Sequence, residues 1–428
     1  MSDWYETRLG DIADICIGGT PSRAEASYWA STGEEGFPWV SISDLKSRIV
    51  SNTAESITAL GARNSNVKLV PCGTIMMSFK LSLGRIAFAG RDIYTNEAIA
   101  SFEVDTDKID KTFLFYQLPE VVKLAITDTA IKGATLNKAK LNELVIPHPK
   151  LVVQRKIAEI LSTIDNQIDA TQALIDKYTA IKQGMMADLF SRGIDPETKA
   201  LRPTFEEAPE LYHKTPLGML PKGWDVKTLG NAINGSGFIQ TGPFGSQLHA
   251  YDYVDSGVPV VMPQDIVQGR ISIEKIAYIT ERKAIELSRH KLKINDVIFS
   301  RRGDLTRSSF VDVQNGYEGF LCGTGCLLMR VDASNIVGGW FSYLYSSDLV
   351  QRQVEGLAVG TTMPNLNGSI LKKLIIPFPS VEEQTHIFSK IASAQRLIDE
   401  NAKHLGKLVA QKSGLMQDLL TGKVSVPA

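Results

Sequence analysis

Three kinds of loop carry the residues best suited to chemistry, and each kind occurs twice. The first is Gly18-Gly19-Thr20-Pro21-Ser22, with a counterpart at Thr241-Gly242-Pro243-Phe244-Gly245-Ser246. Glycine lets backbone amides approach a phosphate closely, and the hydroxyls of Thr20, Ser22 and Ser246 add short-range donors. The second kind follows a strand-like run that ends at Ser78 in one place and Ser300 in the other. It supplies Lys80, Ser82 and Arg85, and then Arg301, Arg302 and Arg307. Arginine can donate two hydrogen bonds to guanine O6 and N7, whereas lysine mainly supplies charge to phosphate. The third kind is Lys132-Gly133-Ala134-Thr135 and Gly360-Thr361-Thr362-Met363-Pro364-Asn365. An ordinary surface turn or solvated charged hairpin has the same composition. Recurrence at matching positions tilts all three towards contact with nucleic acid.

Other chemistries lack their residues. The chain has no phosphate-cradling GxxxxGK[ST], no GxGxxG after a strand, and no GxSxG or HExxH. A nuclease needs clustered carboxylates for its metal, and no convincing cluster is visible. His148, His213, His249, His290, His386 and His404 stand apart from cysteines and carboxylates at metal-ligand spacing, so each reads as structural. Cys16, Cys72, Cys322 and Cys326 are too few and scattered for a disulfide framework. Cys322 and Cys326 lie in an apolar, strand-like run and read as buried thiols. No metal and no cofactor are therefore expected of this chain.

The elements that position the loops are legible as a repeat. Trp4, Leu9 and Gly10 reappear as Trp224, Leu229 and Gly230, an offset of 220. Pro38 to Leu45 matches Pro259 to Ile266, and the runs ending at Ser78 and Ser300 are offset by 222. Leu136-Asn137…Pro147-His-Pro149 matches Leu366-Asn367…Pro377-Phe-Pro379 at an offset of 230. That offset holds through Gln154/Gln384, Ile168-Asp169/Ile398-Asp399, Gly184/Gly414 and Met186-x-Asp188-Leu189/Met416-x-Asp418-Leu419. The slow growth of the offset fits a duplicated unit whose second copy carries loop insertions.

Each copy begins with short strand-like runs between turn signals, mixed with some helix. It ends in a proline-free stretch with apolar residues at helical spacing: Ile157, Leu161, Ile164, Ile168, Ile175, Tyr178 and Met185 in the first copy. The second has Ile387, Ile391, Leu397, Ile398, Leu405, Leu408 and Leu415. A helix of about 39 residues is ~58 Å long, and its apolar stripe needs a partner, most economically its own duplicate. Thr171, Asn401 and His404 interrupt the stripe and are expected to help fix register. The expected fold class is therefore α+β: two mixed α/β domains separated by two long antiparallel helices in a coiled coil, with internal pseudo-two-fold symmetry. The expected segments are a domain over 1–150, a long helix over 151–191, a linker over 192–223, a second domain over 224–380 and a second long helix over 381–421. The linker contains Pro196, Pro203, Pro209, Pro216 and Pro221 and should cross the surface.

Hydrophobic residues at 43% and charged residues at 22% fit a folded, soluble protein. No apolar stretch approaches the ~18 residues of a membrane span, so no membrane partner and a cytoplasmic location are expected. The formal net charge is −1, from 46 basic and 47 acidic side chains. A non-specific DNA coat is usually more basic, so any contact with DNA must depend on local clusters.

The duplicated Trp–Leu-Gly starts, GGTPS and GPFGS loops, LN…IPxP runs and Met-x-Asp-Leu helix ends, in this order, resemble the specificity subunit of a Type I restriction-modification system. The run Leu217-Gly218-Met219-Leu220-Pro221-Lys222-Gly223-Trp224 is similar to the way that family leads into its second recognition domain. The resemblance covers essentially the whole chain. It implies a non-catalytic protein whose two domains each read half of a bipartite double-stranded DNA target, with the helices as a ruler between them. It also implies docking of two methyltransferase subunits, which use S-adenosylmethionine, and of restriction/translocase subunits. The contrasting possibility is a duplicated coiled-coil scaffold that joins protein partners without binding DNA. The repeated Lys/Arg and Gly/Thr loops, which a scaffold does not need, stand against it.

Overall fold

A computed structural model describes residues 4–31, 34–127, 136–358 and 365–427. The chain divides into two compact units, Met1–Ala173 with Ala402–Ala428, and Leu174–Asn401. The cuts fall within the two long helices, Leu151–Ser191 and Val381–Leu419, so each unit owns part of both.

In the first unit, a five-stranded sheet has the order Ala13–Ile17, Ile99–Val104, Ile75–Ser78, Ile86–Ala89, Ile49–Val50. The last pairing is parallel and the others antiparallel. A four-stranded sheet follows the order Glu55–Ile57, Phe37–Val40, Ile93–Thr95, Leu69–Val70. The central strands are buried on both faces, so Ile75-Met-Met-Ser78 reads as a continuous apolar run rather than an alternating one. A ribbon of Tyr5–Arg8 with Val145–His148 brings the start of the copy beside its IPxP segment.

The second unit repeats the central strand order of both sheets and differs at their edges. Gly237–Thr241, Cys326–Val331, Val297–Ser300 and Ser308–Phe310 form the first sheet, and Tyr253–Val254, Ala277–Ile279, Val258–Val261 and Leu321–Cys322 the second. Asp225–Thr228 pairs with Ile375–Phe378 as the equivalent ribbon. Cys322 and Cys326 are fully buried, and desolvation pushes both thiols up.

Each long helix starts from a buried glutamine. Gln154 accepts the Asp110 amide at 2.7 Å and donates to the Pro149 carbonyl at 2.8 Å. Gln384 accepts the Val337 amide at 2.9 Å and donates to the Pro379 carbonyl at 3.1 Å and the Asn335 carbonyl at 3.2 Å. The same side chain thus fastens each helix to the globular part of its own copy.

The helices run antiparallel: the beginning of one meets the end of the other. In the first unit Lys412 pairs with Asp165 at 2.7 Å, and in the second Lys182 donates to Gln395 at 2.7 Å. These cross-helix contacts differ from the polar positions expected to set register. Thr171 and Asn401 instead donate to carbonyls four residues back in their own helices, and His404 is exposed. A short side chain finds its nearest acceptor on its own backbone, whereas lysine has the reach to cross. Of the residues in the apolar stripe, Leu397 alone is exposed, at 44%, and the others are buried or half-buried; the exposed Leu174, Ile181 and Val409 lie outside it.

The proline-rich tract after the first long helix is more ordered than a surface linker. It forms a hairpin of Tyr212–Thr215 with Gly218–Pro221, and Ile194, Tyr212 and Leu220 are buried. Arg202 forms a buried ion pair with Glu383, which also accepts the Ile194 amide at 2.8 Å. The apolar residues spaced among the prolines anchor the tract to the second unit's core.

Candidate nucleic-acid interface

In the first unit the glycine loop is held by the turn between two central strands. Gly18 donates to Ile99 at 3.1 Å, Gly19 donates to Thr95 at 2.8 Å, and Trp39 donates its indole N–H to Gly19 at 2.9 Å. A Cβ on Gly18 would lie 2.2 Å from the Thr95 carbonyl, so only glycine permits this approach. The loop therefore leaves Thr20 beside Glu97, to which its hydroxyl donates.

The hairpin after Ser78 reaches the same place. Lys80 lies 5.4 Å from the Phe79 ring and electrostatically favours the ionised Glu97. The Thr20 hydrogen bond is the largest cause holding the Glu97 carboxyl below its ordinary value; Lys80 and Arg23 add to it. The Ser78 hydroxyl accepts the Arg85 amide at 3.1 Å and bonds the Ser82 carbonyl, closing the hairpin. Ser82 and Arg85 are left exposed. Leu81, at the tip, has φ +58° and is 91% exposed. Ser22 is exposed too; its carbonyl accepts the Trp29 indole at 3.2 Å.

Thr20 and Lys80 thus converge, through a carboxylate that was not among the sequence candidates. Arg23 was missed as well. Its guanidinium lies 3.7 Å from the Trp29 ring centre and meets both Glu55 oxygens. Tryptophans flanking an arginine-bearing glycine loop were the available signal.

The second unit has the same architecture with different side chains. Gly242 donates to Cys326 at 3.0 Å, and the Thr324 hydroxyl donates to Pro243 at 2.8 Å. Arg301 donates its amide to Gly325 at 2.8 Å and its Nε to Asn365 at 3.1 Å. The glycine loop, the arginine hairpin and the end of the third loop therefore meet at one edge. Within it, Arg301 is half-buried and oriented by Asn365, whereas Arg302 is exposed. Arg307 is partly neutralised by Asp304 at 3.0 Å. Ser246 is exposed, next to Phe244 at 60% exposure. Lys132, Thr135, Thr361 and Thr362 lie outside the described residues.

Both edges present exposed cations and hydroxyls on glycine-shaped backbone, with acids close behind them. Local pairing of this kind agrees with a net charge near zero and favours oriented contacts over a diffuse positive surface. Among the described residues no group of three or more His, Cys, Asp or Glu side chains is placed to hold a metal ion, and no helix is long and apolar enough to cross a membrane.

Comparison with known proteins agrees with this duplicated arrangement. The family model of the Type I restriction modification DNA specificity domain matches residues 1–179 and again 221–408. The chain is similar to the Type I restriction enzyme MjaVIII specificity subunit of Methanocaldococcus jannaschii, 24% identical over 99% of this chain and 93% of that one. It is also similar to the EcoBI specificity subunit of Escherichia coli, 23% identical over 76% of this chain and 67% of the relative. The fold is similar to the crystal structure of a Type I restriction-modification S subunit from M. genitalium, with a TM-score of 0.61 and 15% identity over 97% of this chain and 96% of that one. With both copies matched by the family model, the chain belongs to the Type I restriction-modification DNA specificity family.

Proposed function

We propose that this chain is the non-catalytic DNA-reading subunit of a Type I restriction-modification complex, working in the cytoplasm. Each globular part reads one half of a bipartite target. The paired helices set the half-site spacing and dock two methyltransferase subunits, with restriction/translocase subunits joining for cleavage. The observation that carries the reading is the loop cluster built twice on one topology, with shared backbone geometry and different exposed side chains. Thr20, Ser22, Lys80, Ser82 and Arg85 would serve one half-site, and Ser246, Arg301, Arg302 and Arg307 the other; Lys132, Thr135, Thr361 and Thr362 belong to the same proposal. Duplicated scaffolds with divergent loops suit two unlike half-sites and two identical partners. Footprinting of the methyltransferase-bound complex on its mapped target should show two separated, sequence-dependent protected blocks. Protection that is continuous, sequence-independent or absent refutes the reading.

A further inference from the structure

Each unit contains an arginine that leaves the globular part and ends on a carboxylate well along a long helix. In the first unit, Arg48 places Nη2 2.6 Å from Asn166 Oδ1 and 3.1 Å from Asp169 Oδ2. In the second, Arg270 reaches Asp399. The arginines are offset by 222, as are Ser78 and Ser300, and the aspartates by 230, as are the helix-starting glutamines. The pairing is therefore a duplicated feature of the fold.

Both arginines connect the helix directly to the reading loops. The Arg48 carbonyl accepts the Phe88 amide at 2.8 Å, on the strand that follows the Lys80–Arg85 hairpin. Arg270 lies in a hairpin with Ile266–Val267, and the Ile266 carbonyl accepts from Arg307 at 3.5 Å. Each helix is already fixed at its start by Gln154 or Gln384. The aspartate lies fifteen residues further on, roughly 22 Å along the axis at 1.5 Å per residue. Between the two, Ile157 and Leu161 lie in the first unit's core, Tyr116 donates to Asp165 at 2.6 Å, and Ile387 and Ile391 lie in the second unit's core. The arginine acts beyond this packed stretch, where a longer lever arm gives it more hold on the angle of the globular part. The Arg48 side chain is 23% exposed and Asp169 62%, so the pair adds little to stability. Its geometrical effect is the larger one.

We propose that Arg48 and Arg270 are positioning residues that hold each recognition domain at a fixed angle on its helix, and thereby set which half-site spacings the complex accepts. The inference rests on the DNA-reading role proposed above. The test uses the complex with its methyltransferase subunits. Its substrates are duplexes carrying the mapped half-sites at the native separation and at one or two base pairs more or less. Methylation kcat/KM is measured for each.

Arg48→Glu should flatten the preference for native spacing by about tenfold, less than the roughly hundredfold that a full 1 Å misplacement of reacting groups can cost. Discrimination against substituted half-site bases should persist. Asp169→Asn, at an exposed carboxylate, should act in the same direction, and the charge-swapped pair Arg48→Glu with Asp169→Arg should restore the preference. A preference unchanged in Arg48→Glu, or activity lowered equally at every spacing, overturns the tether. Failure of the unsubstituted complex to methylate in a half-site-dependent way overturns it together with the DNA-reading role.

Discussion

Replacing Gln384 with leucine isolates the contribution of one buried amide at nearly constant volume. Gln384 is fully buried, accepts from Val337 at 2.9 Å and donates to Pro379 and Asn335. Leucine keeps the packing and removes all three hydrogen bonds. It leaves one backbone N–H and two carbonyls without this partner. A buried polar group stripped of its partner costs about 1–3 kcal/mol, carbonyls being the cheaper. The expected loss is about 3 kcal/mol, a large part of the 5–15 kcal/mol typical of a folded domain. Hydrogen exchange is the suitable assay, because unfolding of a two-unit chain is not one transition. Amides of the helix Gly338–Tyr345, which begins beside Val337, should lose protection in Gln384→Leu while the first unit stays unchanged. Protection within about 0.5 kcal/mol of the parent would show that water or relaxation replaces these bonds, and would refute the anchor argument.

Further outcomes follow from the same geometry. Gly193 has φ +66°, and a Cβ there would lie 2.4 Å from the Trp224 ring, so Gly193→Ala should cost more than about 2 kcal/mol in the unfolding transition of the second unit. By contrast, Gly184 sits within a helix with nothing within 4 Å of an added Cβ, and Gly184→Ala should stabilise by about 0.5–1 kcal/mol. Lys182 is held below its ordinary value of 10.5, mainly by burial and then by Arg270. The unfolded chain therefore binds more protons as pH climbs from that lowered value towards 10.5, and stability rises across this window. Lys182→Met, of similar length but without the titrating amine, should abolish this rise, read from the second unit's unfolding transition against pH. Finally, Arg302→Ala should weaken binding of the second half-site alone. The slope of log affinity against log salt should become shallower by about 0.9 for each phosphate that is no longer neutralised, measured by titration at several salt concentrations.

The duplication was legible because framework residues recur in order: the paired tryptophans, the LN…IPxP runs and the helix ends all impose packing that both copies must satisfy. The long helices were legible from apolar periodicity and the absence of proline. Their cross-helix polar contacts were not. Lys182, Gln395, Lys412 and Asp165 look like solvated helix positions until the partner helix is present, whereas Thr171 and Asn401 look like register-setting interruptions and bond to their own backbone. At the site, composition located the glycine loops and basic hairpins, yet no local pattern signals that Glu97, 77 residues from Thr20, brings Thr20 and Lys80 together. The tethers were hidden for the same reason, because Arg48 and Asp169 are 121 residues apart. Pairings made by tertiary structure leave no periodicity for a sequence to display.

Mapping methylated adenine in DNA from cells that carry the partner methyltransferase, with and without this chain, tests the central claim most directly. The account predicts a split motif, two short unlike half-sites at a fixed separation, that is methylated only when the chain is present. Unchanged methylation with an active methyltransferase, or a motif that is continuous rather than split, would contradict it.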